Sequence, residues 1–450
     1  MNRNVDLLND DIRKSLIKLT IPLALTAFIQ MAYNLVDAAW IGRIGTDAVA
    51  AAGTVGFLMW ISQSVVLIPK IGMGIYTSQA YGRENKKDTM QIIKSGVLIA
   101  IFLAIIYTII VLAFKNTYIS FYKLGDVVSQ YANDYLVIIS IGFIFTFLNP
   151  VFSQIYNSLG NSMTPFRINA FGLIINLILD PFLIFGIGIF PELGIKGAAI
   201  ATVFANIFVS LLFTIDIFLH DKLIKEAILR EHSNKKWIYR IIKLGTPSAI
   251  LNGFHAIITI ILNKFMAGFG PAPVAVYSIG SQIESISWMT TEGVQVAISS
   301  LVGQNYGAGR IERVKKSIKE GLTVVSLIGI FAFFFLFVFR NELFKLFVPN
   351  DQSTIALGGK YLLILSLSQF FMAIEIGITG IFNGLSDTRT PSTIGNVWNL
   401  MRVPMSLIFM RFFGVLGVWI SITISSIFKG LLNIVFLKIK ILNSKEFKIS

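Results

Sequence analysis

Long apolar runs separated by short polar connectors set the pattern of this chain. They lie near residues 16–38, 50–73, 91–114, 134–156, 167–188 and 196–219, and again near 241–265, 274–297, 318–340, 360–383, 394–412 and 415–438. Crossing a bilayer as an α-helix takes ~20 predominantly apolar residues, so each run has about spanning length. The pattern predicts an all-α integral membrane protein of about twelve transmembrane helices. An even number of spans places both termini on one side of the membrane.

The second set of runs repeats the first. Lys18-Leu-Thr-Ile-Pro22 returns as Lys243-Leu-Gly-Thr-Pro247, and Gln79-Ala-Tyr-Gly82 as Gln304-Asn-Tyr-Gly307. Lys94 with Gly96 returns as Lys319 with Gly321, and Asn157-Ser-Leu-Gly-Asn-Ser-Met-Thr-Pro165 as Asn383-Gly-Leu-Ser-Asp-Thr-Arg-Thr-Pro391. A single offset of about 225 residues relates these pairs, the mark of an internal duplication. The expected domains are an N-terminal six-helix bundle (1–219), a connector (220–240) and a C-terminal six-helix bundle (241–450). Six helices per unit give the halves one orientation, related by a pseudo-two-fold axis along the membrane normal. Two such bundles flanking a cleft form an alternating-access transporter rather than a receptor or an anchored enzyme.

Composition sharpens this reading. Hydrophobic residues make up 55% of the chain and charged residues only 14%, against about 25% charged in soluble proteins. There is no cysteine, which excludes disulfides, thiolate metal sites and a cysteine nucleophile. No cleavable signal peptide is expected, since the polar opening runs straight into a full-length span. The formal net charge of +14 is explained by its distribution. Roughly 26 Lys and Arg fall on the side of the termini and roughly 9 on the other, so the termini are expected in the cytoplasm and the protein in the cytoplasmic membrane. No nucleic-acid partner is expected, because no soluble basic domain exists to carry one. The connector His220–Arg240 has two readings: an amphipathic helix with Ile224, Ala227 and Ile228 on one face, or a solvated linker.

Polar groups inside the spans carry the candidate chemistry. Asp37 lies late in the first span, where it either snorkels to the interface or serves transport. Asn176 and Asp180 share one face of the fifth span, four residues apart. By depth, Asp37, Asp180 and Thr202 at the start of the sixth span reach the same level. Such an oxygen-rich cluster suits a proton or a hard cation such as sodium, whereas interhelical hydrogen bonding is the plainer use of the same groups. Gln30 and Tyr33 lie within two turns of Asp37 and are expected to line the same cavity. Pro22 permits a bend in the first span, either as a gate or as a static kink, with Pro247 at the matching place.

The second half does not repeat this cluster, since Leu262 stands where the first half has Asp37. It offers instead Glu284 and Glu292 on its second span, Glu375 on its fourth and Arg402 on its fifth. By depth Glu375 and Arg402 both fall in the inner half, where they could pair. Glu284 lies near mid-membrane, where it faces the cleft and attracts a cationic substrate. His255 is read as hydrogen-bonded structure ahead of proton relay.

Together these residues resemble the multidrug and toxic compound extrusion (MATE) family of cation-coupled exporters, over nearly the whole chain. The resemblance rests on the basic-leucine-x-x-proline opening of each half, on Asn34-Leu-Val-Asp37-Ala-Ala-Trp-Ile-Gly42 and on the Gln-x-Tyr-Gly motifs. It also rests on Leu179-Asp180-Pro-Phe-Leu-Ile-Phe-Gly186 followed by Gly197-Ala-Ala-Ile-Ala-Thr202. The acidic residues of the first and fifth spans make it look like the DinF-like branch, whose N-terminal bundle holds the coupling cation. The match implies Asp37, Asn176, Asp180 and Thr202 as that site, Gln30 and Tyr33 as neighbours, and Pro22 as the bend residue. It implies no cofactor beyond the coupling ion, H+ or Na+, and a small organic cation or amphipathic drug as cargo. A monomer in the lipid bilayer suffices for this architecture.

The nearest rival is a lipid or lipid-linked saccharide flippase of the same wider superfamily, but the cavity charges lean acidic. A major-facilitator transporter would carry Gly-x-x-x-Asp-Arg-x-Gly where this chain reads Tyr81-Gly-Arg-Glu-Asn-Lys-Lys. An intramembrane enzyme would need a catalytic constellation, and neither HExxH nor a serine–histidine pair on facing spans is present.

Overall fold

The computed structural model describes residues 5–444 and is helical throughout, with no strand among the described residues. In chain order the helices are α1 (Ile12–Ile44), α2 (Thr46–Gly82), α3 (Lys86–Phe121), α4 (Asp126–Ser158), α5 (Met163–Phe185), α6 (Ile195–His220) and α7 (Lys222–Leu229). The second half adds α8 (Lys235–Ala267), α9 (Pro271–Gly307), α10 (Ile311–Val338), α11 (Arg340–Lys345), α12 (Gln352–Gly384), α13 (Arg389–Phe413) and α14 (Leu416–Leu437). All but α7 and α11 run 22 residues or longer, which among the described residues makes twelve long helices. Many extend well beyond their apolar runs, because a helix need not stop where the hydrocarbon does. The short α11 leaves no apolar run and escapes a reading based on spanning length.

Packing divides the chain into two units. The first holds Leu25–Ala249; the second holds Val5–Ala24 with the chain from Ile250 onward. The divisions fall inside α1 and α8, each two residues after a proline, Pro22 or Pro247. The opening turns of each of these helices thus belong to the unit built from the other half of the sequence. In the second unit, Leu7, Ile12, Leu16 and Leu19 join the core formed by α9, α10 and α12. Asn305 donates to the Leu7 carbonyl at 3.0 Å, and Arg313 to those of Leu7 and Asp10 at 3.2 and 2.8 Å.

In the first unit the matching segment is longer. Trp237 and Ile241 of α8 enter the core, and Gly72 of α2 lies against the Ile241 backbone where any Cβ would overlap its carbonyl oxygen. The connector resolves into α7, capped by Asp221, whose side chain accepts from the Ile224 amide at 3.0 Å. Its apolar face, Ile224 and Ala227, is buried in the protein core, so α7 packs against α3. Lys86 pairs with Glu226 at 2.9 Å and holds that carboxyl below its usual range.

Candidate functional site

The first unit's site is set by how α6 returns against α5. Gly186 ends α5 with φ of 69°, a left-handed conformation that glycine adopts without a Cβ penalty. The amides of Leu193 and Gly194 donate back to the carbonyls of Leu183 and Ile184, each at 3.1 Å. Gly197 then lies so close to α5 that a Cβ would overlap the Leu183 carbonyl oxygen. This antiparallel register brings Thr202 within about a turn of the level of Asp180.

Asn176 and Asp180 are fully buried and Thr202 is nearly so. Asn176 Nδ2 donates to Asp180 Oδ1 at 3.2 Å. Pro181, next in sequence, removes one amide donor from the helix and frees the Leu177 carbonyl one turn back. Asp37 reaches the site from α1. Trp40, three residues on and therefore on the same face, packs edge-on against Phe185 of α5 at 5.9 Å between ring centroids. Asp37 and Asp180 lie in electrostatic reach of one another, and both reach Tyr33 and Tyr135. Tyr33 lies beside Thr202.

What sets this place apart is its unmet hydrogen-bonding capacity. Asp37 Oδ1, Asn176 Oδ1 and Asp180 Oδ2 are buried without a partner in the protein, and the Tyr33 and Thr202 hydroxyls beside them face each other. A buried polar group without a partner costs about 1–3 kcal/mol, more when charged. Three in one place, two of them carboxylate oxygens, form with the neighbouring hydroxyls a donor set that a cation between them would satisfy. Among the described residues no three His, Asp or Glu side chains converge, so two carboxylates and neutral oxygens are the available ligands. That set suits a hard monovalent cation or a proton better than a transition metal.

Four expected site residues therefore come together here, with Tyr33. Gln30 is exposed on α1. Pro22 is buried inside an α1 that runs helical from Ile12 to Ile44. Tyr135 was not anticipated. It lies in an ordinary apolar stretch of α4, and nothing local in the sequence distinguishes it from a packing tyrosine.

The second unit is built differently. Leu262 lies in its apolar core. Glu284 accepts hydrogen bonds from Tyr361 Oη at 3.0 Å and Gln369 Nε2 at 2.9 Å. Glu375 does not pair with Arg402 as its depth suggested. Lys429 of α14 takes that place at 3.0 Å, the two side chains being only 10% and 13% exposed. Arg402 instead donates to Ser425 and Ser426 at 3.1 and 3.3 Å. α14 packs along α12 far more extensively than α13 does, which brings Lys429 rather than Arg402 to Glu375. A basic residue alone inside the apolar run of α14 was a signal for Lys429. His255 lies in electrostatic reach of both Arg402 and Lys429.

Gly197→Ala tests the α5–α6 register. Its Cβ must push α6 off α5, at a cost of about 1–3 kcal/mol for an overpacked contact, and Thr202 moves with it. The melting midpoint in detergent is expected to fall, whereas Gly53→Ala, which meets nothing within 4 Å, should leave it unchanged or raise it slightly.

Comparison with known proteins agrees with this architecture. A protein of Thermotoga maritima described as a probable multidrug resistance protein NorM is 29% identical over 432 residues, covering 95% of this chain and 92% of that protein. A protein of Shewanella oneidensis described as an FAD transporter is 24% identical, covering 94% of each. Among solved structures, the outward-facing conformation of a multidrug resistance MATE family transporter superposes with a TM-score of 0.90 at 20% identity, covering 97% of both chains. The MatE family model matches residues 22–182 and again 247–408, once in each half. This chain is a multi-pass membrane transporter, not an enzyme, and belongs to the MatE family.

Proposed function

We propose that this protein is a cation-coupled antiporter that exports organic cations or amphipathic drugs by alternating access. Asp37, Asn176, Asp180 and Thr202 hold the coupling ion, H+ or Na+, with Tyr33 beside them. The observation that carries this reading is the buried polar group on α1, α5 and α6, with a partnerless oxygen on each of Asp37, Asn176 and Asp180. The ion is cargo here, and no resident cofactor is invoked. Glu284 and Glu375 serve the substrate side, in the second unit.

The mechanism follows from linkage. A ligand shifts a conformational equilibrium only by its difference in affinity for the two states. Asp37 lies on α1 past Pro22, while Asp180 and Thr202 lie on α5 and α6, so a bend of α1 changes the spacing of the two carboxylates. The ion stabilises the state that closes this spacing, and the substrate stabilises the other. Reciprocity then makes each ligand weaken the other by one factor, typically ~5–150-fold. The setting is the cytoplasmic membrane, with both termini inside and a monomer as the working unit.

The test is export of ethidium from proteoliposomes under separately imposed sodium and proton gradients. Export driven by one of the two supports the reading and names the ion. Flux indifferent to both overturns coupling.

A second reading concerns the cargo. Arg402 and Lys429 are buried cations in the second unit, and one relative is described as an FAD transporter. These favour an anionic, phosphate-bearing cargo. Inhibition of ethidium flux by FAD at micromolar concentration would favour that alternative, whereas inhibition by organic cations alone supports the first.

A further inference from the structure

The internal duplication exposes a second binding site by contrast. On α3, Lys94 donates to the Ile228 carbonyl at 2.6 Å and Gln91 donates to Glu231 at 3.3 Å. Together with the Lys86–Glu226 pair, these contacts seat α7 on the foot of α3. The 225-residue offset carries Lys94 to Lys319 and Gln91 to Lys316, on the foot of α10. There both lysines are exposed. They line a groove of about 470 Å³ with Ile12, Glu312, Arg313 and Lys315.

The other charges of this groove are already committed. Glu312 pairs with Lys315 at 2.7 Å. Arg313 is spent on the carbonyls of Leu7 and Asp10 and on the Asn305 side chain. Asp11 lies in electrostatic reach of Lys316. Neither the Lys316 nor the Lys319 ammonium has a hydrogen bond or ion pair among the described residues, so the groove is left with cationic character.

The same helix face continues upward as exposed apolar surface. From Lys316 and Lys319 it passes Thr323 to Leu327, Ile330 and Phe334, spaced three or four apart and all exposed. An amphiphile fits this face: an anionic head at the lysines and hydrocarbon along the apolar stripe. A free anion would use only the foot, and a soluble peptide would leave the stripe in contact with lipid. We propose that Lys316 and Lys319 bind the phosphate of an anionic phospholipid whose acyl chains lie along Leu327, Ile330 and Phe334. This site is independent of the coupling-ion assignment.

The experiment is native mass spectrometry of the full chain, delipidated in detergent and titrated with phosphatidylglycerol, phosphatidylcholine or inorganic phosphate. One phosphatidylglycerol should bind saturably, and phosphatidylcholine much more weakly. Lys316→Gln with Lys319→Gln should weaken phosphatidylglycerol binding roughly tenfold or more, from the loss of two interfacial charges. Each single variant should give part of that loss, and Lys345→Gln, outside the groove, none. Melting midpoints without lipid should match wild type, since both side chains are exposed. Equal phosphatidylglycerol binding by the double variant overturns the proposal. So does equal binding of phosphatidylcholine, or displacement of phosphatidylglycerol by inorganic phosphate, which would mark a site for free anions.

Discussion

Asp180→Asn is expected to abolish cation-driven export while leaving the protein folded. The substitution is isosteric and keeps the oxygen that accepts from Asn176 Nδ2, so the α5 contact survives. What it removes is one of the two titratable carboxyls facing the cluster. A neutral amide neither releases a proton nor offers a second anionic ligand to sodium, so ion binding no longer separates the two conformational states. Coupling of this kind is typically worth ~1–3 kcal/mol, and its loss should reduce gradient-driven flux by tenfold or more. Ethidium binding to the purified variant should remain within about threefold of wild type, because the site assigned to substrate lies in the other unit. Asp37→Asn should behave alike, and the double variant should lose no more than either single, since both act through one bound ion. Additive losses would mean that the carboxylates serve separate roles.

Lys429→Met is expected to be the most destabilising single change in the second unit. Lys429 and Glu375 form an ion pair that is almost completely buried. Removing one partner from such a pair leaves an uncompensated charge, at about 3–5 kcal/mol, whereas removing both is often nearly neutral. Lys429→Met and Glu375→Gln should therefore each lower the melting midpoint by several degrees, and the double variant should recover most of the loss. Arg402 sets the size of the effect. It is held by Ser425 and Ser426 within electrostatic reach of Glu375, so Lys429→Met should be further destabilised when Arg402 is replaced by Met. Equal melting of the two singles and the double would show that the pair contributes nothing net.

The long helices were legible because a bilayer demands ~20 apolar residues per crossing, and ten of the twelve long helices among the described residues are apolar enough to meet it. The duplication was legible because its offset stays at 225 or 226 residues throughout. The acidic cluster was legible because Asp37, Asn176, Asp180 and Thr202 are costly residues in apolar surroundings and fall at one depth. Four things were not legible. The exchange of the opening turns of α1 and α8 depends on packing across hundreds of residues, between Leu7 and Asn305 for example. Tyr135 joins the cluster through tertiary placement alone. The partner of Glu375 was misjudged because depth fixes only one coordinate: Arg402 and Lys429 are both within reach along the membrane normal, and helix rotation decides between them. α7 was foreseeable as an amphipathic helix, but its burial against α3 rather than on lipid was not, because lipid and protein reward the same apolar face.

Transport by this mechanism depends above all on Asp37 and Asp180 holding an ion that is exchanged for substrate. Its most direct test reverses the usual experiment. An ethidium gradient is imposed across proteoliposomes with no ion gradient, while internal pH and radioactive sodium are followed. The account predicts that ethidium moving down its gradient drives one of the two ions in the opposite direction, and that Asp180→Asn abolishes this ion movement. Ethidium movement with no ion movement in the wild type, or ion movement unaltered in the variant, would contradict it.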